Sequence, residues 1–322
     1  MAKDELDELP SVAAARAREL SARIKTLEKI VDEQAGMLER QAKSKYRLPK
    51  ASATPGSKCS MRLIVPDTHG SHADPDAMAS FLSDVQALGG SIGEVVHLGD
   101  ALDCGGFLAA HHTEHYVAET TNSFEDDVNA TNQLFDAIQA ACPKAVVHYL
   151  EGNHERRIEK WCVTQSLRNA KDAEFLRRTF CAGSVLHLAA RGVNWYRQSE
   201  FYHGLPIPAT IKLGHCYFTH GSRAGKSATS ATLGDFGGCV VHGHTHTMRS
   251  DSSATVHSGG ISAWCPGALC RLQPLWNHTQ PTRWGHGYGI QLVNKDGTFL
   301  HINVPIGSGK SYLQPLLNLV KA

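Results

Sequence analysis

The chain has 322 residues, of which 42% are hydrophobic and 20% are charged, a globular composition that excludes a wholly disordered protein. The formal net charge of +1 excludes a polycation that would coat nucleic acid through charge alone. Histidine is unusually frequent, with 19 residues that do not form a tag. Because histidine is the commonest metal ligand and carries protons near neutral pH, this composition raises the question of a metal site.

The cysteine content and the N-terminal sequence indicate the cellular compartment in which we expect the protein. Nine scattered cysteines without a CxxC pair favour a reducing environment over a disulfide framework. The acidic start MAKDELDELP lacks the apolar centre of a secretory signal, and the chain has no run of about 18 apolar residues. We therefore expect a soluble, cytoplasmic protein with no membrane partner.

Residues 1–41 have the periodicity of a coiled coil. Apolar side chains and two glutamines recur in alternating steps of four and three: Ala13, Ala17, Leu20, Ile24, Leu27, Val31, Gln34, Leu38 and Gln41. Such a 3.5-residue period predicts a helix that associates with its own copies, and hence a homo-oligomer. An amphipathic helix folded onto its own domain is the alternative, since Gly36 and the glutamines weaken the seam.

Residues 42–60 contain Pro, Gly, Ser and Lys in a turn-rich order, which predicts a flexible linker. The segment is basic and has no acidic residue, so phosphate contact is an alternative to simple solvation. We expect one large domain over residues 61–306, followed by a C-terminal tail over residues 307–322.

Strand and helix patterns alternate from Met61 onward. The apolar runs MRLIVPD, EVVHLGD and AVVHYLEGN predict strands, and residues 74–88, 122–141 and 155–180 have helical periods. Further strands are predicted around 211–219 and 239–243, and a hairpin across the turn signal Asp296-Gly297. Alternating βαβα followed by β-rich sequence indicates an α/β fold with a mixed sheet.

The predicted strands end in polar residues of a few chemical kinds. These residues are Asp67, His69, Asp100, Asp103, Asn153, His154, His220, His244 and His246. Because ligands gather at the carboxyl ends of strands in α/β sheets, we expect these side chains to share one rim. Carboxylate oxygen combined with imidazole nitrogen suits divalent metals such as Mn, Fe, Zn, Ni or Co.

The motifs DxH, GDxxD, GNHE, H-G and GHxH occur in that order, and together they resemble the calcineurin-like metallophosphoesterase superfamily. The resemblance covers about residues 61–306. It implies a four-layer αββα sandwich with a binuclear metal centre. It also implies hydrolysis of phosphate mono- or diesters by a metal-bound hydroxide, with manganese as the first choice of metal.

The resemblance also implies a function for each motif residue. One metal ion would be held by Asp67, His69 and His246. The second would be held by Asn153, His220 and His244. Asp100 would bridge the two ions, His154 would be the general acid that protonates the leaving group, and Asp103 would orient His154. The catalytic residues implied are therefore His154 and Asp103.

Two departures from related subfamilies narrow the class. Protein phosphatases of this superfamily carry GDxVDRG, whereas Cys104 replaces the arginine here, so protein dephosphorylation is in doubt. Purple acid phosphatases use a tyrosine ligand where this chain has Asp103. A nuclease acting on DNA or RNA is an alternative, supported by the basic stretch from Arg156 to Arg178. A non-catalytic scaffold is a weaker alternative, because all the ligands and His154 are present.

The other histidines divide into two sets. We expect a core or sheet-face position for His97, His148, His187 and His301, and a packing position near the ligands for His215 and His242. Candidates for the rim of the site are His111, His112, His115, His203 and His286. Arg156 and Arg157 are equally compatible with phosphate steering and with a solvated helix face. The GSRAGKS and GSGKS segments lack the strand and helix context of an NTP-binding loop.

Overall fold

The computed structural model describes most of the chain from residue 59 onward. The described residues are 25, 59–108, 121–166, 169–199, 208–255, 259–274, 281–314 and 317. The chain divides into two units, Met1–Arg47 and Leu48–Ala322, and every strand and helix named below belongs to the second. The predicted coiled coil over residues 1–41, apart from residue 25, and residues 42–58 of the predicted linker lie outside the described residues.

The described residues form twelve strands and six α-helices. The strands are β1 (Cys59–Val65), β2 (Ile92–His97), β3 (Val146–Leu150), β4 (Asn194–Tyr196), β5 (Thr210–Leu213), β6 (Cys216–Thr219), β7 (Val240–His242), β8 (Arg249–Thr255), β9 (Gly259–Cys265), β10 (Gly287–Asn294), β11 (Phe299–Gly307) and β12 (Lys310–Ser311). The helices are α1 (Pro75–Leu88), α2 (Phe124–Ala141), α3 (Arg156–Gln165), α4 (Ala170–Thr179), α5 (Ala182–Val185) and α6 (Ala228–Phe236). None of the described helices is long and apolar enough to cross a membrane.

The strands are arranged in two sheets. The first has seven strands in the order β12-β11-β10-β1-β2-β3-β4, and the second has five in the order β5-β6-β7-β9-β8. Strands β1 to β4 run parallel, and β10 is antiparallel to β1. In the second sheet β6, β7 and β9 are parallel, whereas β5 and β8 are antiparallel edge strands. Both sheets are therefore mixed, which confirms the predicted α/β class.

Alternating side chains of β1 lie on opposite faces of the first sheet. Leu63 packs in one apolar cluster with Phe81 of α1, whereas Ile64 packs in a second cluster with Phe218 of β6. A third cluster joins Leu233 of α6 to strands β7 and β9. Burial of each side chain of this size stabilises the fold by roughly 1.5–3 kcal/mol. The first sheet thus packs against helices on one face and shares an apolar cluster with the second sheet on the other.

Most of the predicted elements are present, and two have different boundaries. The three apolar runs form β1, β2 and β3, and the helical patterns at 74–88 and 122–141 form α1 and α2. The stretch 155–180 is two helices instead of one, because the side chain of Asn169 accepts hydrogen bonds from the N–H groups of Lys171 and Asp172 and begins α4. The strand predicted around 211–219 is a hairpin of β5 and β6 that turns at Gly214.

Candidate metal centre

The predicted ligands follow strands whose carboxyl ends lie at one edge of each sheet. Asp67, Asp100 and Asn153 follow β1, β2 and β3, which are parallel neighbours in the first sheet. His220 and His244 follow β6 and β7, which are parallel neighbours in the second. This is the placement that parallel α/β topology favours for ligand sites. Two overlapping groups of side chains result, and together they contain all the predicted metal ligands.

Asp67, His69, Asp100 and His246 form the first group, and their ligand atoms all lie within 4.8 Å of one another. The Nε2 atom of His246 lies 3.2 Å from Oδ1 of Asp67 and 3.2 Å from Nε2 of His69. All four side chains are buried. Two imidazole nitrogens at this distance repel each other when both are unprotonated, and a shared proton or a cation relieves the repulsion. The first group therefore has the donor chemistry of a cation site.

Asp100 also belongs to the second group, with His220 and His244. The Nε2 atom of His220 lies 3.3 Å from Oδ2 of Asp100 and 2.9 Å from Oδ1 of Asn153, so the amide oxygen of Asn153 joins this group. The rings of His220 and His244 are in edge contact, with centroids 5.2 Å apart. One carboxylate therefore connects the two groups.

Hydrogen bonds determine which imidazole nitrogen is available to a metal. The Nδ1–H of His220 donates to the carbonyl of Leu98 at 3.0 Å, which leaves Nε2 facing Asp100. The Nδ1–H of His69 donates to the carboxylate of Asp103 at 3.0 Å, which leaves its Nε2 in the first group. A second hydrogen bond of this kind orients most metal-binding histidines. The residues present therefore fit bound divalent metal ions.

Burial and neighbouring charges set the protonation of the two groups. Burial lowers the pKa of His69 to about 4, so its imidazole is neutral at neutral pH. Burial alone would raise the pKa of Asp67, but His246 and His220 hold it at about 2. Against the effect of burial, the Asp100 carboxylate raises the pKa of His220 to about 9. A metal ion that binds to the second group must therefore displace a proton, and binding becomes weaker as the pH falls.

His154, the predicted general acid, lies beside the first group. Its Nδ1–H donates to the carbonyl of Asp103 at 2.8 Å, and its Nε2 lies 3.0 Å from a guanidinium nitrogen of Arg157. The carboxylate of Asp103 lies 3.3 Å from Nδ1 of His154 and 3.0 Å from Nδ1 of His69. Burial lowers the pKa of His154, but Asp100 and Asp103 together raise it above its ordinary value. Asp103 thus contacts both imidazoles, and its shorter carboxylate contact is with His69.

Asp127 of α2 holds two of the loops that carry the site, and the sequence did not single it out. Its buried carboxylate accepts hydrogen bonds from the backbone N–H groups of Ser71 at 3.1 Å, Asp103 at 3.2 Å and Cys104 at 2.8 Å. Asp127 therefore connects the loop after β1 to the loop after β2. No motif marks this residue, because it is one of three acidic residues in the first turn of its helix.

Glu155, the last residue of the GNHE motif, holds the loops after β2 and β3 together. Its buried carboxylate accepts hydrogen bonds from the N–H groups of Gly152 at 2.7 Å, Leu102 at 3.0 Å and Asp100 at 3.2 Å. The motif contained a signal for this residue, but the sequence did not indicate what it contacts. Glu155 therefore positions the backbone of Asp100, the carboxylate that the two groups share.

The backbone of four predicted ligands is left-handed. The φ angle is 52° at His69, 47° at Asp100, 68° at His244 and 54° at His246. Residues other than glycine adopt this region rarely, and such residues concentrate at functional sites. A Cβ atom at Gly152 would lie 2.0 Å from a carboxylate oxygen of Asp100, so this position requires glycine. The loops are therefore shaped to bring the ligand atoms close together.

The structure confirms some of the remaining histidine predictions and contradicts two. The core positions are confirmed for three of them, His97, His148 and His301. His187 is not in a strand but in the turn after α5, where it is exposed and has a φ of 53°. His215 is not close to the ligands, because it lies exposed at the β5–β6 turn and bonds the carbonyl of Asp296 at 3.1 Å. The sequence around His187 and the sequence around His215 each predict a strand, whereas the chain turns at both positions.

His242 and His286 lie outside both ligand groups. The Nε2 atom of buried His242 is 3.1 Å from the hydroxyl of Thr229, which confirms a packing position. The Nε2–H of His286, a predicted rim residue, donates to the carbonyl of Cys270 at 2.9 Å. The other predicted rim residues lie outside the described residues, namely His111, His112, His115 and His203.

Two cavities lined by described residues adjoin the ligand groups. The smaller has a volume of about 50 Å³ and is lined by His69, His246 and Cys270, whose ligand atoms also lie within 4.8 Å of one another. The larger has a volume of about 400 Å³ and opens at His244. Trp284 lines both cavities, and its ring lies 4.1 Å from that of His246. Neither Cys270 nor Trp284 was predicted, because both follow segments with no recognisable motif.

Comparisons with known proteins do not identify a family for this chain. No protein-family profile matches the chain, and no curated protein sequence matches it. Among solved structures, the chain is similar to the crystal structure of a hypothetical protein from Pyrococcus horikoshii OT3. The identity is 13%, the match covers 81% of this chain and 94% of that chain, and the TM-score is 0.37. A likeness this weak does not define a shared function.

Proposed function

We propose that this chain is a metal-dependent phosphoesterase that hydrolyses phosphate monoesters or diesters with two divalent metal ions. The observation that carries the proposal is the pair of ligand groups joined through Asp100, with His154 beside the first. The ordered motifs that resemble calcineurin-like metallophosphoesterases support it. A four-layer αββα sandwich belongs to the same proposal, supported by the apolar cluster that the two sheets share.

The two groups would hold the ions through different residues. In this proposal one ion is held by Asp67, His69 and His246. The other would be held by Asn153, His220 and His244, and Asp100 would be shared by both. Manganese is our first choice, with iron, zinc, nickel and cobalt as alternatives, because mixed carboxylate and imidazole ligands accept each of them. When bound, the ions would activate water for attack on phosphorus and neutralise charge on the phosphate oxygens.

His154 would supply the proton for the leaving group. Its Nδ1–H is already engaged by the carbonyl of Asp103, so a proton for transfer would be held on Nε2. A guanidinium nitrogen of Arg157 lies 3.0 Å from that atom, and because a guanidinium group can only donate, Arg157 would have to move off Nε2 when His154 carries this proton. We propose that Arg157 contacts a phosphate oxygen when substrate is bound, because guanidinium groups pair well with phosphate.

Reloading of the metal tests this proposal. The full-length protein is stripped of metal with a chelator and reloaded with Mn²⁺ or another divalent ion. The substrates are 4-nitrophenyl phosphate, bis(4-nitrophenyl) phosphate, and single- and double-stranded DNA and RNA. We expect Mn²⁺ to restore hydrolysis of at least one ester, and the stripped protein to be inactive. If no metal restores hydrolysis of any ester, the chain is not a phosphoesterase.

A pair of variants connects the activity to the ligand groups. Asp100→Asn removes the shared negative charge, so we expect loss of both bound metal and hydrolysis, the former measured by elemental analysis. Asp172→Asn is the matched control, because Asp172 lies in the first turn of α4, away from both groups. If Asp100→Asn retains full metal content and full activity, the assigned centre is wrong.

A nuclease is the second candidate, favoured by one observation. Arg156, Arg157 and Lys160 line a single cavity of about 850 Å³ next to His154. Basic side chains grouped beside a phosphate-cleaving centre favour a polyanionic substrate. The nucleic acid substrates of the reloading assay distinguish this candidate from an enzyme that acts on small esters, and a complete lack of hydrolysis would favour a non-catalytic scaffold.

A further inference from the structure

Three cationic side chains meet in the cavity that opens beside His244. They come from separate parts of the chain: Lys226 precedes α6, Arg249 begins β8, and Arg283 precedes β10. No carboxylate occurs among the described residues that line this cavity. Side chains of one charge sign gathered from three segments form a positive pocket, and positive concave surfaces concentrate anions.

The cations of this pocket have no acidic partner within the described part of the chain. None of the salt bridges between described residues includes Lys226, Arg249 or Arg283. In the same loop as Lys226, by contrast, Arg223 forms two hydrogen bonds of 2.7 Å with the carboxylate of Asp235. The pocket therefore keeps three positive charges available for a ligand, whereas the neighbouring arginine is neutralised.

The pocket lies directly beside both ligand groups. His244 belongs to the second group and also lines the pocket. Trp284 forms another part of its wall and contacts the ring of His246. A molecule bound there would adjoin the metal ligands without occupying their place. A volume of about 400 Å³ is within the range of roughly 300–1,000 Å³ that small-molecule sites have, and it accommodates a nucleotide-sized group.

We propose that this pocket binds a second phosphate group of the substrate, next to the phosphate that is cleaved. This inference rests on the proposed phosphoesterase function and names its substrate class, a phosphate ester with at least two phosphates. Arg249 and Arg283 would form charge-assisted hydrogen bonds to the second phosphate, and Lys226 would add a third charge. A mononucleotide with two phosphates and an oligonucleotide both have this chemistry, so the test compares them.

A matched pair of chromogenic substrates isolates the second phosphate. Both are 4-nitrophenyl esters of thymidine 5′-phosphate, and one also carries a 3′-phosphate. With the Mn²⁺-loaded full-length protein, we expect the 3′-phosphate to raise kcat/KM about tenfold or more, as for one or two hydrogen bonds to a charged group. Dithymidylate with and without a terminal phosphate provides the oligonucleotide comparison. A larger effect in the dinucleotide indicates an oligonucleotide substrate, and an equal effect indicates a mononucleotide.

Two pocket variants and one control assign the effect to the pocket. Arg249→Gln and Arg283→Gln should each lower kcat/KM for the 3′-phosphorylated ester about tenfold, and change that for the other ester by less than about twofold. Arg223→Gln removes the same charge from the same surface, but outside the pocket, and should leave both values unchanged. The inference is overturned by equal kcat/KM values for the two esters, or by equal effects of the control and pocket variants.

A binding measurement separates failure of this inference from failure of the proposed function. Titration calorimetry compares thymidine 3′,5′-bisphosphate with thymidine 5′-phosphate, neither of which needs to be hydrolysed. We expect tighter binding of the bisphosphate and loss of that difference in Arg283→Gln. If neither ester is hydrolysed but this difference is present, the phosphoesterase function fails and the anion pocket is retained. If esters are hydrolysed but the two nucleotides bind equally, the pocket inference fails alone.

Discussion

The nearest contact of each ring nitrogen of His154 is with a residue outside the predicted ligand set, although its Nε2 also lies 3.9 Å from a carboxylate oxygen of Asp100. Its Nδ1–H donates to the carbonyl of Asp103, and its Nε2 faces Arg157. His154→Ala should therefore remove a proton donor without removing a metal ligand. We expect kcat of the Mn²⁺-loaded enzyme to fall about 10²–10⁴-fold, as is usual for loss of a general acid. Steady-state kinetics and elemental analysis of the same preparation measure turnover and metal content.

A nearby histidine provides the control for His154. His148 lies in β3, is buried, and contacts the hydroxyl of Tyr196 at 3.1 Å, away from both ligand groups. His148→Ala removes the same side chain from the same strand and loop segment, and its turnover per folded molecule should be close to that of the parent protein. Loss of metal in parallel with loss of turnover in His154→Ala would mean that His154 is a metal ligand.

Asp127 is a positioning residue whose substitution should reduce stability. Its carboxylate accepts three backbone N–H groups, and an asparagine there would direct its own N–H₂ group at some of these donors. We expect Asp127→Asn to lower the free energy of unfolding by about 1–3 kcal/mol, the cost of buried donors left without an acceptor. Urea unfolding of the full-length protein measures the change.

Glu125 provides the comparison for Asp127. It is exposed in the first turn of the same helix, so Glu125→Gln removes an equal charge near the same helix end. That variant should change the free energy of unfolding by less than about 0.5 kcal/mol. Equal destabilisation by the two variants would mean that Asp127 acts only through charge at the helix terminus, and not through the loops.

The residues of the centre differ in how far sequence could predict them. Asp100 and His220 end strands and belong to motifs, so their type and position pointed to a ligand before any contact was known. Asp127 and Trp284 reach the site from segments without a motif, and only the packing of α2 and of the chain before β10 brings them there. A single sequence contains no signal for such long-range placement.

Individual strands also carry groups that respond to pH, and His301 of β11 is one. Its ring lies 4.7 Å from that of Trp264, and burial lowers its pKa to about 4. Since the unfolded chain has a histidine pKa of about 6.5, the folded state binds this proton more weakly, and its stability falls as the pH drops from about 6.5 to 4. Above about pH 6.5, where His301 is neutral in both the folded and the unfolded chain, its protonation no longer lowers the stability of the fold.

Substitution of His301 should therefore reduce the acid sensitivity of the protein. We expect His301→Gln to lose about 3 kcal/mol less unfolding free energy than the parent protein between pH 7 and pH 4. Urea unfolding at several pH values in this range measures the free energy of unfolding of both proteins. In the difference between them, the contributions of all other ionisable groups cancel. His215→Gln is the control, because His215 is exposed. Parallel stability curves for the parent protein and His301→Gln would contradict the prediction.

Elements with a regular pattern were predicted better than elements defined by tertiary contacts. The apolar runs before Asp67 and Asp100 identified β1 and β2, since buried parallel strands are continuous hydrophobic segments. Strand β8, with the sequence RSDSSAT, has no such run, and it forms by antiparallel pairing along β9. Helix α6 consists largely of Ala, Thr and Ser, so its weak periodicity gave no prediction.

At the scale of the whole molecule, the centre depends on two sheets that present their strand ends together. Asp67, which follows β1 of the first sheet, accepts a hydrogen bond at 3.0 Å from the backbone N–H of His244, which follows β7 of the second, so this ligand also connects the strand ends of the two sheets. The order of strands and helices predicted a mixed sheet and the family resemblance implied two stacked sheets, but neither divided the individual strands between two sheets. That division depends on pairings between distant segments, such as β1 with β10.

The N-terminal segment can be tested separately from the centre, because the heptad pattern of residues 1–41 ends before β1. Ile24→Asp with Leu27→Asp places charges at adjacent seam positions, where apolar side chains hold coiled-coil helices together. We expect this double variant to lower the mass measured by light scattering to that of a monomer and to leave hydrolysis by the metal-loaded enzyme unchanged. Lys25→Asp with Lys29→Asp, outside the seam, should keep the parent mass. An unchanged mass in the seam variant would reject the coiled coil and favour a helix packed on its own domain.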